Sequence, residues 1–347
     1  MPGYAHFVEP TVLDVGGRFI RAKSIVIATG SRPWVPLQWR SIGKRLLTSD
    51  DLFELDNLPS SLAVIGLGAV GLELSQALSR LGVKVTAFGR SSFIGGLDDP
   101  AVSRRAVEII GEEFRLLQGH AAVIDAKNKT LTVSSGHRRL RADKVLVAVG
   151  RRPNIESLRL EGLGIKVTPE GLPEFDPATM QFGEHPIFWA GDVSADRPVL
   201  HEALDAGRIA GYNAVHAASS CFARRARLRI TFCQPNIASI GPSWESLKGG
   251  NICVGEADFR EQGRAVIMSQ DAGLLRVYAH RRTGELLGAQ LAAPDGEHLA
   301  HLLAMAIQRG MTVFEALETP FYHPVLEEGL KHALSVLADR IRSPRRS

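Results

Sequence analysis

Two groups of residues in this chain have the types and spacing to do chemistry. The first is Gly66-Leu67-Gly68-Ala69-Val70-Gly71, a GxGxxG run set between the apolar stretches Ser61-Leu62-Ala63-Val64-Ile65 and Val83 to Phe88. Glycines at this spacing allow a tight turn, close approach of backbone to a pyrophosphate, and close packing of helix on strand. The helix they open would aim unpaired N–H groups and the positive end of its dipole at the phosphates. In a chain with 34 glycines such a run can arise by chance. Its place between two apolar strands, in one βαβ unit, is what gives it weight.

The second group is His323-Pro324-Val325-Leu326-Glu327-Glu328. A carboxylate beside an imidazole orients the ring and favours its protonated form, which suits a base that takes and returns a proton. Proline at the first helical position would start a helix here and leave His323 at its cap, pointing off the end. A capping histidine without chemistry is the plainer alternative. A third candidate is Arg90, which follows Gly89 at the end of the second apolar strand. An acidic residue there would bind the ribose 2′-OH of NAD, whereas an arginine pairs with the 2′-phosphate of NADP. NADP is therefore favoured over NAD, with a surface arginine at a loop start as the alternative.

These residues need elements to hold them. Short β-rich runs at 11–15 and 19–20 precede the strand Ile25-Val26-Ile27-Ala28, which stops at Thr29-Gly30. Small residues at a strand end let a backbone approach a ligand closely. A helix is expected over 101–110, then a meander with turns at Lys127-Asn128 and Ser135-Gly136, then a strand ending near Val149 before Gly150-Arg151-Arg152-Pro153-Asn154. The strand Ile187-Phe188-Trp189-Ala190 leads into Gly191-Asp192 and a small-residue-rich helix from His201. From residue 223 the pattern is α+β, with strands expected at 252–258, 265–269, 274–280 and 286–292 and helices at 297–309 and 325–341.

Composition sets the bounds. The chain has 347 residues, 45% of them hydrophobic, enough for two or three compact domains. It holds no apolar run of membrane-spanning length and no signal-peptide pattern at Met1, so a cytoplasmic protein with no membrane partner is expected. The formal charge of +4 is concentrated in Arg224-Arg225-Ala226-Arg227-Leu228-Arg229 and in the tail from Arg340 to Ser347. Neither cluster is interleaved with aromatics, so both read as solvated linker and frayed tail, with no nucleic-acid partner. Cys221, Cys233 and Cys253 form neither a CxxC pair nor a metal-ligand spacing, so reduced structural thiols and no metal are expected.

The motifs stand in a telling order: Ala28-Thr29-Gly30; Gly66-x-Gly68-x-x-Gly71-x-Glu73; Gly150-Arg151-Arg152-Pro153-Asn154; Ala190-Gly191-Asp192; and His323-Pro324 with Glu328. Over nearly the whole chain this order resembles the class I pyridine nucleotide-disulfide oxidoreductases, the family of dihydrolipoamide dehydrogenase, glutathione reductase and mercuric reductase. The resemblance implies an α/β fold, with Rossmann-like FAD- and NAD(P)-binding domains followed by an α+β dimerisation domain. It divides the chain into a first flavin segment (1–57), a nucleotide domain (58–153), a returning flavin segment (154–222) and a dimerisation domain (223–347).

The same resemblance implies roles. Thr29, Gly30 and Gly150 line the cofactors, Asp192 hydrogen-bonds the flavin ribityl chain, and the helix starting at His201 points at the isoalloxazine. Glu73 pairs with a lysine near the flavin. His323, with Glu328, serves the disulfide of the other subunit of a homodimer, whose substrate is a small-molecule or protein-bound disulfide. The family's first GxGxxG and its CxxxxC redox pair have no counterpart in these residues. The expectation is therefore a chain whose FAD site is incomplete, lacking an N-terminal segment, and inactive by itself. Two alternatives stay open: a non-catalytic nucleotide-binding and dimerisation remnant, and a flavin oxidase or transhydrogenase-type relative.

Overall fold

The computed structural model describes residues 3–127, 130–168 and 172–343. Asn128 of the expected turn and the tail residues 344–347 lie outside them. The chain forms two compact units, each assembled from two stretches of sequence: residues 1–34 with 151–225, and residues 35–150 with 226–347.

The first unit opens with an antiparallel meander of Ala5–Glu9, Val12–Val15 and Arg18–Arg21. Its strand Ile25–Ile27 pairs in parallel with Ile187–Trp189, some 160 residues on. Phe7, Ile27, Ile187 and Trp189 pack into one core. The helix Leu200–Val215 lays Ala206, Ile209 and Ala210 against Met180 and Phe188. The same face buries two acids, Glu202 and Asp205, at 4% exposure each. Buried carboxylates demand counter-charges, and basic residues supply them: Arg224 reaches Glu202 at 2.7 Å and Arg197 reaches it at 2.9 Å. Burial alone would push the Glu202 carboxyl up, yet the two guanidinium groups hold it below its usual range. The expectation of a solvated linker at 224–229 is thus corrected at Arg224, whose side chain is only 11% exposed. The tail expectation needs a similar correction, because Arg340 and Arg342 belong to the last turn of a helix, Glu327–Arg342.

In the second unit a five-stranded parallel sheet runs in the order Leu46–Leu47, Lys144–Val147, Ser61–Ile65, Lys84–Phe88, Arg115–Leu117. Residues 35–57, placed with the flavin segment in the sequence reading, sit in this unit because Leu46–Leu47 supplies the edge strand. Strand residues alternate faces. Leu62 and Val64 meet the helices Ala69–Arg80 and Pro100–Ile110 through Leu72, Val102 and Ala106. Ala63 and Ile65 face the other way, onto Leu131 and Val133 of the antiparallel meander formed by Ala122–Lys127, Thr130–Ser135 and Arg138–Arg141. A sheet covered on both faces explains why Ser61–Ile65 reads as a continuous apolar run.

The rest of this unit is an antiparallel sheet in the order Leu228–Thr231, Asn236–Ile240, Leu286–Ala293, Leu274–His280, Ile252–Asp258. The helices Gly296–Gln308 and Glu327–Arg342 cover it, sharing a core that includes Leu275, Leu291, Leu303 and Leu334. The strand expected at 265–269 is instead the short helix Gly263–Ile267. Strands Ile252–Asp258 and Leu274–His280 pair directly, so 265–269 falls in the connection between them. There Gln262 caps the helix by accepting from the Ala265 N–H at 2.7 Å. Burial pushes the Cys233 thiol up to about 12, and Cys233 and Cys253 are buried while Cys221 is exposed.

A buried polar latch joins the nucleotide-side and C-terminal sheets of this unit. Asp99, fully buried, caps helix Pro100–Ile110 through the Ala101 N–H. It also accepts both contacts of Arg276 Nη1, at 2.7 and 2.8 Å, and the Tyr278 hydroxyl at 2.8 Å. Gln290 Oε1 accepts the backbone N–H of Asp98 and of Asp99. Asp99→Ala would leave the Tyr278 hydroxyl without its acceptor and Arg276 with Glu256 alone, so a loss of about 3 kcal/mol is expected. Urea denaturation of the variant beside the wild type measures it.

Candidate functional site

The GxGxxG run takes the conformation its glycines permit. Gly66 ends strand Ser61–Ile65 at φ +113°, and a Cβ on it would lie 2.1 Å from the Ala148 carbonyl oxygen. A Cβ on Gly71 would lie 1.9 Å from the Gly66 carbonyl oxygen, so the helix start is pressed onto the strand end. Around Gly68 a Cβ meets nothing within 4 Å. Gly68 is also the N-cap of Ala69–Arg80, with no side chain capping the turn. Bare N–H groups beside open space and the positive end of a helix dipole suit an anionic group. The three glycines thus divide into two that pack the backbone and one that leaves room for a ligand, which fits a dinucleotide pyrophosphate.

Gly89 and Arg90 follow strand Lys84–Phe88, one strand over from this turn. Arg90 is exposed, and Gly89 accommodates Leu67, whose Cδ1 would be 2.5 Å from a Cβ there. Gly150, at φ +121°, has open space where a side chain would be. Glu73 is half-buried on the nucleotide helix and accepts the Phe232 backbone N–H at 2.8 Å. It therefore ties that helix to the segment after strand Leu228–Thr231.

In the first unit, Thr29 and Gly30 follow strand Ile25–Ile27, and Asn154 pins both: its Nδ2 donates to the Thr29 carbonyl at 2.9 Å and its N–H to the Gly30 carbonyl at 3.0 Å. Asp192 follows strand Ile187–Trp189, the parallel partner of Ile25–Ile27, and accepts from Ser31 Oγ at 3.3 Å. Arg151 holds Ser31 in turn, through Oγ and the backbone carbonyl, each at 2.8 Å. Asp192 thereby sits at paired parallel strand ends, the usual ligand position of an open α/β sheet. His201 lies exposed in the first turn of Leu200–Val215, a helix that also starts without a side-chain cap. These features fit the ribityl and ring portions of a flavin. The ties made by Ser31, Arg151 and Asn154 escaped the sequence reading. The only signal was that Asn154 and Arg151 share a motif with Gly150.

His323 and Glu328 are brought together. His323 Nδ1 lies 2.9 Å from Glu328 Oε1 and 3.1 Å from Oε2, and Oε2 also accepts the Val325 N–H at 3.2 Å. The route differs from the one expected. Pro324 is not the first helical residue: helix Glu327–Arg342 starts three residues later with Leu326 as N-cap, and the His323–Pro324 peptide is cis. His323 therefore stands on a turn ahead of the helix, and Glu328, in the first helical turn, reaches back to it. His323, Glu328, His332, Asp258 and Arg260 line an open cavity of about 490 Å³. Among the described residues no group of three or more His, Cys, Asp or Glu is placed to hold a metal ion. Among the described residues no helix is long and apolar enough to cross a membrane.

Residues 1–219 match the family described as pyridine nucleotide-disulphide oxidoreductase, and residues 228–334 match its dimerisation domain. A dihydrolipoyl dehydrogenase of Thermus scotoductus is 33% identical over 353 residues, covering 96% of this chain and 74% of its own length. A mercuric reductase of Staphylococcus aureus is 29% identical over 339 residues, covering 95% of this chain and 62% of its own. Among solved structures, LpdA of Mycobacterium tuberculosis aligns with a TM-score of 0.82 at 25% identity, over 96% of this chain and 75% of that one. An HOCl-induced flavoprotein disulfide reductase of Escherichia coli aligns at 0.83 and 24% identity over 96% and 78%, a likeness of fold.

The hydrogen bonds from His323 and from the Val325 N–H hold the Glu328 carboxyl below its usual range. Its folded-state pKa is depressed, so the pairing is in place above the ordinary carboxylate range and is lost only as pH falls through the lowered value. In a carboxyl ¹³C titration Glu328 should titrate below the chain's solvated glutamates, and His323→Ala should move it back towards them.

Proposed function

The chain belongs to the pyridine nucleotide-disulphide oxidoreductase family, and on that premise we propose that it carries the nucleotide seat, part of the flavin site and the proton pair of a dihydrolipoamide dehydrogenase-like NAD(P)H:disulfide oxidoreductase. The observation that carries this reading is the His323–Glu328 contact of 2.9 Å at the mouth of an open cavity. A flavin oxidase has no thiol proton to manage and no use for such a pair. When bound, the flavin accepts a hydride equivalent from the nicotinamide and passes two electrons on to a disulfide.

The chain's own residues do the remaining work. Gly66, Gly68 and Gly71 seat the pyrophosphate on the bare turn of Ala69–Arg80, and Arg90 answers the 2′-phosphate, which favours NADP over NAD. Thr29, Gly30 and Asp192, braced by Asn154, Ser31 and Arg151, hold the flavin side, with the helix start at His201 turned to the ring. Glu73 braces the nucleotide helix, and Gly150 leaves the strand end open to cofactor. His323, oriented through Nδ1 by Glu328, presents Nε2 to take the proton of an attacking thiol and return it to the leaving one.

Cys221, Cys233 and Cys253 do not make the electron relay. Cys233 is buried with its thiol pushed up, Cys253 is buried, and Cys221 stands elsewhere in sequence and unit. The relay cysteines of the reaction come from outside these residues, and the 347 residues alone hold FAD weakly and do not turn over. The protein acts as a homodimer. Exposed Met305 and Tyr322 beside an apolar cavity of about 460 Å³ in the C-terminal domain support a surface meant to be covered.

The test uses these residues as part of an FAD-loaded subunit that also carries the relay cysteines. Each NADPH oxidised should release two thiols from a disulfide, and His323→Gln should slow that release by about 10²–10⁴-fold. Hydrogen peroxide formed in place of thiol would turn the assignment to an oxidase.

A further inference from the structure

One side chain ties the His323 turn from the side opposite Glu328. Gln262 lies in the connection between strands Ile252–Asp258 and Leu274–His280, where Asp258 gives way to the turn Phe259–Glu261 and then to helix Gly263–Ile267. Its amide works at both ends. Oε1 accepts the Ala265 N–H at 2.7 Å, capping the short helix, while Nε2 donates to the Val325 carbonyl at 2.8 Å. Val325 is the residue whose N–H is held by Glu328 Oε2 at 3.2 Å. The peptide units flanking Val325 are therefore gripped on both sides, by Glu328 on the N–H and by Gln262 on the carbonyl. His323 stands two residues before Val325, outside any helix and mostly exposed, so little else restrains it.

We propose that Gln262 is a positioning residue for His323: by fixing the Val325 carbonyl it sets the turn that keeps Nδ1 on Glu328 and leaves Nε2 free towards the cavity that Gln262, His323 and Glu328 line together. This rests on the proton-carrying role given to His323 above. The physical reason is geometric. A hydrogen bond from an exposed imidazole is modest in net worth and holds one tautomer only while the backbone keeps donor and acceptor aligned. Gln262 is anchored on a different element from Glu328, so the two ties constrain the turn from independent directions. Gln262 makes its contact by amide chemistry, so Arg260, Glu261 and Asp258 beside it are not part of the tie; Arg260 is engaged with Asp258 at 2.6 Å.

The tautomer of His323 is the readout, because a purely structural role for Gln262 in capping Gly263–Ile267 would leave it unchanged. Long-range ¹H–¹⁵N spectra of the full chain with ¹⁵N-labelled histidine, taken well above the pH of imidazole protonation, report which ring nitrogen carries hydrogen. Two variants separate the roles. Gln262→Ser keeps a good helix cap and cannot reach Val325; Gln262→Met keeps the bulk and loses both contacts. Wild type is expected to show the Nδ1–H form of His323, with the Nε2–H form expected to appear in both variants and in Glu328→Ala, which has no acceptor for Nδ1–H. Thermal melts give the cap contribution separately, with Gln262→Ser close to wild type. A wild-type His323 spectrum in Gln262→Ser would overturn the proposal even if Gln262→Met were destabilised. A wild-type His323 already mixed, and unchanged by Glu328→Ala, would instead overturn the pairing on which the reading of the site rests.

Discussion

The approach of Gly66 to Ala148 is the constraint on which the second unit turns. The strand Ser61–Ile65 ends so tightly against its neighbour Lys144–Val147 that a single carbon added at Gly66 would lie 2.1 Å from a backbone oxygen, and one added at Gly71 would lie 1.9 Å from Gly66 itself. No rotamer change relieves a backbone clash, so both positions demand glycine. The result is a helix whose first turn is pressed onto the sheet and left without a side-chain cap. The same packing that closes the fold leaves bare N–H groups that suit an anionic ligand.

Other parts of the unit keep that turn in register with the C-terminal sheet. Glu73, one turn along the nucleotide helix, is bonded to Phe232, and the Asp99–Arg276–Tyr278 group locks the following helix to strand Leu274–His280. These are buried or half-buried polar contacts whose partners lie more than 150 residues apart in sequence, so they fix relative placement more than they add stability. The chain spends its buried polar groups where two sheets must hold a fixed geometry. In the first unit Glu202 is held more locally, between Arg197 and Arg224, on the helix whose first turn carries His201.

Local features of the chain were legible without coordinates, and long-range ones were not. The βαβ unit around Gly66 announced itself because an apolar strand, three spaced glycines and a second strand are contiguous. His323 and Glu328 were legible as a pair because five residues bring them within reach, although Pro324 misled about how: the helix begins at Glu327, and a turn carries the histidine. The strand expected at 265–269 failed because β-branched composition does not register the Gln262 cap that starts a helix there. Arg224 was misread because its acidic partners lie about twenty residues back on a helix face that periodicity alone marks as partly polar. The Asn154 and Ser31 ties depend on Ile25–Ile27 meeting Ile187–Trp189, a pairing that no local pattern records.

The most direct test of the account is calorimetric binding of NADPH to the full chain and to its Gly68→Ala variant. Gly68 borders open space, so the variant should fold with an unchanged melting profile while its added methyl occupies the pyrophosphate seat. One NADPH per chain is expected for the wild type, with affinity falling at least about tenfold in the variant, a loss of about 1.4 kcal/mol. Equal affinity in a normally folded Gly68→Ala protein would contradict the assignment of the bare turn at Gly68 as the dinucleotide site.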